Sequence, residues 1–261
     1  MHPYVLSNDE IVRSDEKVLL PGQLGLLAGW GVFTTLRIYE GVLFAFERHW
    51  QRMERDASLL HVELPRDGNR VRDNLLRLID ANSAREAVMR LCVFRSQGGF
   101  WAGPGTGNVS DLVALTSELE EWQESVVLGV AEQARHAESR FRGTKTLSWA
   151  HNLAMRETAE REGFGEVILL NEREEVAECT SANIFAVVGG KTYTPPLESG
   201  PLPGVTRAVM LEELEVPDAP VAERVLRLDD LFAAEEVFIT STTRELMPVH
   251  QIGERRISAV A

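Results

Sequence analysis

Cysteine is scarce in this chain, and the little there is can neither staple nor ligate. Cys92 and Cys179 are the two cysteines among 261 residues, too few for a disulfide framework or a cysteine-type zinc site. The histidines at 2, 49, 61, 136, 151 and 250 form no HExxH or HxH pair, so no metal centre is expected. Positive charge is also in deficit: 27 basic residues face 40 acidic ones, a net charge of −13. With no basic stripe to meet a phosphate backbone, a nucleic-acid partner is not expected. No run approaches 18 apolar residues, so no membrane span is expected. The opening segment MHPYVLSNDE has no basic region leading into an apolar run. No secretory signal is therefore expected, and a reducing cytoplasm is the expected setting. No GxGxxG opens a helix after a strand, and GxxxxGK[ST] does not occur, which removes dinucleotide and P-loop readings.

What is present is ordinary for a globular enzyme: 44% hydrophobic and 26% charged residues, enough for a real core. The length suits two modest lobes sharing a cleft. Residues 32–39 alternate in β-rich types and run into Glu40-Gly41, a turn signal, so 42–46 reads as the returning strand of a hairpin. The spacing of His49/Trp50, Met53, Ala57 and Leu60 predicts a helix over 47–60, and Val71, Leu75, Leu78 and Ile79 a second. Residues 87–94 and 111–116 read as buried strands. The polar stretch 117–124 reads as a linker, which divides the chain into lobes 1–116 and 125–261. Beyond it the pattern predicts strands at 125–132, 166–170, 184–188 and 237–240. It also predicts a helix over 147–162 ended by Gly163 and another over 205–214. Strands with interspersed helices make the expected class α/β in the mixed, α+β sense.

Three local features could carry chemistry. Lys145 stands between two threonines just before the predicted 147–162 helix; alone, it reads as a solvated surface lysine. Glu178 leads into Cys179-Thr180-Ser181-Ala182-Asn183 and a buried strand; alone, this is a turn before a strand. Pro203-Gly204-Val205-Thr206-Arg207 opens a helix whose first amides can meet an anion, and alone it is an N-cap region.

Taken in order, with 33 residues from Lys145 to Glu178, 28 more to Thr206, and Ser241-Thr242-Thr243 after them, the set resembles the fold-type IV pyridoxal-phosphate (PLP) enzymes. That family contains branched-chain and D-amino acid aminotransferases, (R)-amine transaminases and 4-amino-4-deoxychorismate lyase. The resemblance spans nearly the whole chain. It takes in Gly31-Val32-Phe33-Thr34-Thr35-Leu36-Arg37, His49-Trp50-Gln51-Arg52 and the segment from Thr240 to Val249. It implies two α/β lobes around a cofactor cleft, with most cofactor contacts and Lys145 in the second lobe, and a homodimer that completes the pocket. It implies that Lys145 joins the cofactor aldehyde as an imine and shuttles a proton. Glu178 would support the protonated ring nitrogen. Arg52, Val205, Thr206, Ser241 and Thr242 would hold the phosphate. Asn183 would be structural, holding the loop that carries Glu178.

Substrate choice is the less legible part. Phe33, Arg37 and Arg90 match the branched-chain enzymes, whose tyrosine shortly after the lysine is absent; Trp149 stands there instead. Arg95 matches the first arginine of the D-amino acid enzymes' RGxSPRxH segment. Phe100 and Ala102 replace its two carboxylate-binding residues, and they fall where the lyases carry an arginine and a tyrosine. An apolar wall of Phe33, Phe100 and Trp101 implies a hydrophobic donor. The expected activity is transfer of an amino group from such an amino acid or amine to a 2-oxo acid. Deoxychorismate lyase is the alternative.

Overall fold

The computed structural model describes residues 1–98, 107–214 and 220–257. The chain divides into two units: Met1–Glu120 with Thr144–Trp149, and Glu121–Gly143 with Ala150–Ala261.

In the first unit the chain runs β1 (Tyr4–Ser7), β2 (Glu10–Arg13), α1 (Leu24–Ala28), β3 (Gly31–Tyr39), β4 (Val42–Leu43), α2 (Phe46–Leu59), α3 (Gly68–Asn82), β5 (Ala87–Arg95) and β6 (Ser110–Ser117). The strands form one antiparallel sheet in the order β2-β1-β6-β5-β3-β4. Alternation along the strands sorts the side chains. Val32, Leu36, Ile38, Met89, Leu91 and Val93 pack with Trp50 and Met53 of α2 and Leu75 and Leu78 of α3 in one core. Phe33, Thr35 and Arg90 fall on the opposite face by parity. Helix α3 starts where Asp67 accepts the amides of Asn69 and Arg70, at 3.0 and 3.1 Å, an N-cap.

Helix α2 has two neighbouring inward stripes. Phe46, Trp50, Met53 and Ala57 make the apolar one, and His49, Arg52 and Asp56, all buried, run beside it at helical spacing. The returning strand expected over 42–46 is shorter, because Ala45 turns into the left-handed region (φ +49°) and becomes the N-cap of α2.

The second unit holds β7 (Val126–Arg135), α4 (Ala150–Arg161), β8 (Glu166–Asn171), β9 (Val176–Cys179), β10 (Asn183–Val188), β11 (Lys191–Thr194), α5 (Val205–Glu212), β12 (Val221–Glu223), α6 (Leu228–Phe232), β13 (Glu236–Ser241), β14 (Glu245–Ile252) and β15 (Arg255–Arg256). Its sheet runs β12-β11-β10-β13-β14-β7-β8-β9, with β15 on β14. Three of the pairings are parallel: β11 with β12, β14 with β7, and β7 with β8. Every residue of β8 is buried, as expected of a strand covered on both faces. The expected mixed α/β class is the class observed.

Two expectations about residues 144–162 change. The helix expected from 147 begins at Ala150, because the preceding residues are extended and paired with β3. Thr146 bridges Val32, the Phe33 amide donates to the Lys145 carbonyl at 3.0 Å, and the Leu147 amide donates to the Gly31 carbonyl at 2.9 Å. The same bonds place residues 144–149 in the first unit, whereas the sequence division gives them to the second lobe. Gly31 is needed for this approach: a Cβ there would lie 2.6 Å from Leu147 Cδ1 and 2.7 Å from the Val93 carbonyl oxygen. The helix expected over 205–214 ends at Glu212.

Candidate functional site

In the first unit the site residues gather on Phe33. Strand register sets Phe33 opposite Cys92 and Thr35 opposite Arg90. The Arg90 guanidinium carbon lies 4.4 Å from the Phe33 ring centroid, and Lys145 Nζ lies 4.6 Å from it. Both are cation–π distances. Trp149 meets the same ring edge-on, with centroids 6.1 Å apart. Arg90 is half-buried, and among the described residues no carboxylate pairs with it. A partly desolvated guanidinium without a counter-charge suits an incoming carboxylate.

Beneath β3, on the helix side, Arg52 Nη2 donates to Thr34 Oγ1 at 2.9 Å and lies 3.4 Å from His49 Nδ1. Thr34 Oγ1 is 2.7 Å from that same nitrogen. The Thr34 oxygen accepts from Arg52 and is also hydrogen-bonded to Nδ1, the ring nitrogen opposite Nε2. That Nε2 is buried and has no hydrogen-bond partner. Burial above all, then the charges of Arg52 and Lys145, push the His49 pKa well below the usual histidine range. The ring is therefore neutral at physiological pH.

Two other arginines expected near the substrate are engaged elsewhere. Arg37 pairs with Glu86 at 2.9 Å, donates to the Ile38 carbonyl at 2.9 Å and stacks on Tyr39. Four residues along β3 separate it from Phe33, about 13 Å at the usual strand rise. Arg95 stacks on Trp30, and parity puts it on the face opposite Arg90. Phe100 and Trp101 lie outside the described residues.

In the second unit, Glu178 is the penultimate residue of the short strand β9, opposite Leu169 of β8. Its carboxylate is buried and held at both oxygens. Arg135 Nε donates to Oε1 and the Leu202 amide to Oε2, each at 3.0 Å. Arg135 comes from the end of β7 and was not singled out in the sequence; 43 residues separate it from Glu178, and no local signal links them. Asn183 Nδ2 donates to the Leu202 carbonyl at 2.9 Å, so it holds the turn whose amide reaches Glu178. Gly204 follows, where a Cβ would come 1.9 Å from Asn183 Oδ1; only glycine fits. Gly204 is the N-cap of α5, and no side chain caps that helix, so Val205 and Thr206 open a turn whose amides suit an anion. At the end of β13, Ser241 Oγ accepts the Arg244 amide at 3.1 Å. Arg244 in turn reaches Ser181 Oγ at 2.8 Å and Glu166 at 3.3 Å, both buried or nearly so.

These donors and acceptors suit pyridoxal phosphate. A buried carboxylate fits a protonated pyridine nitrogen, an uncapped helix start with nearby hydroxyls fits a phosphate, and a lysine amine is what an aldehyde requires.

Comparison with known proteins agrees. Residues 31–252 match amino-transferase class IV. A Methanocaldococcus jannaschii protein, named provisionally as a branched-chain-amino-acid aminotransferase, is 30% identical over 239 residues, 90% of this chain and 82% of its own. The D-alanine aminotransferase of Bacillus licheniformis is 28% identical over 98% of this chain and 91% of its own. The crystal structure of the Escherichia coli branched-chain amino acid aminotransferase shares the fold at a TM-score of 0.90 and 24% identity, covering 98% of this chain and 88% of that one. The named relatives are transferases, and the lyase fits less well. The lysine, the buried carboxylate and the family match converge: this chain belongs to the class IV aminotransferases and is a pyridoxal-phosphate-dependent transaminase.

Proposed function

We propose that the enzyme moves an amino group from a donor with a hydrophobic side chain to a 2-oxo acid, with Lys145 and Arg90 as the residues that meet substrate. The observation that carries this reading is the pair of cations on the Phe33 ring, one an amine and the other a half-buried guanidinium. When bound, the cofactor supplies an electron sink for the pair left on the donor's Cα. Lys145 Nζ takes the proton from that Cα and returns one to the acceptor carbon. Arg90 binds the carboxylate of the acid substrate and orients it. Glu178 holds a proton at the ring nitrogen, and Arg135 keeps its carboxylate in place. By the family resemblance, Arg52 would bind phosphate, as would the amides of Val205 and Thr206 and the hydroxyls of Ser241 and Thr242.

Phe33 and Trp149 offer aromatic surface to an apolar side chain, and burying one such group contributes ~1.5–3 kcal/mol. The working form in this reading is a homodimer. In support, Leu26 and Leu27 on α1 are more than half exposed, and a second copy would cover them; sedimentation reads the mass directly.

A donor-by-acceptor screen on the holoenzyme tests the function. A hydrophobic amino acid or aryl-alkyl amine alone should bleach the visible absorbance stoichiometrically, and a 2-oxo acid should restore it. Aspartate should be a poor donor. Catalytic release of pyruvate from aminodeoxychorismate, with no donor able to bleach the protein, would replace this reading with the lyase.

A further inference from the structure

The buried stripe of α2 includes a carboxylate that the amino-transfer chemistry does not use. Asp56 is 1% exposed, and a carboxylate so deep is costly unless donors surround it. One oxygen, Oδ1, takes Arg55 Nε at 2.8 Å. The other, Oδ2, takes the backbone amide of Lys145 at 2.9 Å, across 89 residues of chain. The Lys145 carbonyl is engaged as well, by the Phe33 amide at 3.0 Å, and the Leu147 amide is bonded to Gly31. Three bonds thus fix the peptide from which the amine projects, and Asp56 makes the one to the lysine's own N–H.

We propose that Asp56 is a positioning residue for Lys145: α2 plants a carboxylate whose bond to the Lys145 amide fixes the Cα that carries the amine over the Phe33 ring. The proposal rests on the reading of Lys145 as the cofactor lysine. A charged acceptor makes a stronger bond to an amide than a neutral one does. Arg55, partly exposed, supplies a charged partner for the buried Asp56 carboxylate. Because α2 also carries His49 and Arg52 on the same stripe, one helix sets both the lysine root and the cation beneath β3.

Amide hydrogen exchange on the cofactor-free protein and borohydride fixation on the holoenzyme test this together. In Asp56→Ala, exchange at the Lys145 amide should speed up by about tenfold, the effect of losing one charge-assisted bond. Cofactor should also be lost about tenfold more readily on desalting. Asp56→Asn keeps an oxygen acceptor and should restore both to within about threefold of the parent. If Asp56→Ala does not fold, Asp56→Asn decides, with its exchange rising at residues 144–147 and not elsewhere in the first unit. An Asp56→Ala protein with unchanged exchange and cofactor retention overturns the proposal, as does Asp56→Asn exchange that rises evenly across the unit. Peptide mapping of the borohydride adduct separates the two layers. An adduct on another lysine overturns the reading of Lys145 and the proposal with it. An adduct on Lys145 with unchanged exchange overturns the role of Asp56 alone.

Discussion

The two units hold their principal residues in opposite ways. Lys145, in the first, is fixed at its peptide: the amide to Asp56, the carbonyl to Phe33, the next residue bridged to β3. Glu178, in the second, is fixed at its head, with Arg135 on one oxygen and the Leu202 amide on the other. The difference suits the work proposed for each. A lysine that moves a proton needs a fixed root and a chain able to swing from it. A carboxylate that supports one nitrogen needs its charge kept in one place, because electrostatic support is useful only when already oriented.

That contrast can be broken from either end, and removing the amine should have the largest effect. Lys145→Ala should abolish both turnover and the borohydride-fixed adduct, read by mass spectrometry, while leaving the backbone hydrogen bonds to Asp56 and Phe33 available and the fold intact. An adduct that persists on a different lysine would remove Lys145 from the mechanism.

Altering the fixed head should do less. Glu178→Gln keeps the shape and an oxygen for Arg135 or Leu202, so most cofactor should stay bound. Turnover should fall on the order of a hundredfold, each ~1.4 kcal/mol of lost stabilisation being tenfold in rate. Unchanged steady-state kinetics would mean that Glu178 has no part in catalysis.

The smallest effect concerns stability and pH in the first unit. His49 has its pKa lowered in the folded protein, so at high pH it is neutral folded or unfolded and contributes no pH dependence. As pH falls through the ordinary histidine range, the unfolded chain binds a proton that the folded ring refuses, and stability declines by up to ~1.4 kcal/mol per pH unit. Thermal melts between pH 7.5 and 5.5 should show a shallower decline in His49→Gln than in the parent. Equal slopes would mean the ring titrates normally.

Lys145 and Glu178 read alone as a surface lysine and part of a turn; their order and spacing with Thr206 and Ser241-Thr242-Thr243, together with the Phe33 string, made them legible through resemblance to the family. Asp56 and Arg135 were not, because what defines them is a partner 89 or 43 residues away, and helical or strand periodicity says only that they face inward. Arg37 and Arg95 look similar to Arg90 in the sequence. Strand parity separates Arg95 from Arg90, and Glu86 with Tyr39 claims Arg37. Element boundaries were missed where tertiary bonds override local preference. Leu147 fits a helical pattern yet donates to Gly31, and Ala45 fits a strand yet turns left-handed to start α2.

The pairing of residues 144–147 with β3 has a consequence for how the protein is made. A polypeptide emerging from the ribosome delivers the first sheet early, but its edge at Gly31–Phe33 must wait until the 121–143 stretch has been synthesised. The first unit is therefore not a contiguous piece of sequence, and a fragment cut at Glu120 would leave the Gly31 carbonyl and Phe33 amide open to whatever strand came by. Lys145, the proposed cofactor lysine, belongs to the last stretch that finishes this unit, so a chain terminated before residue 144 would lack both the closing pairing and the amine.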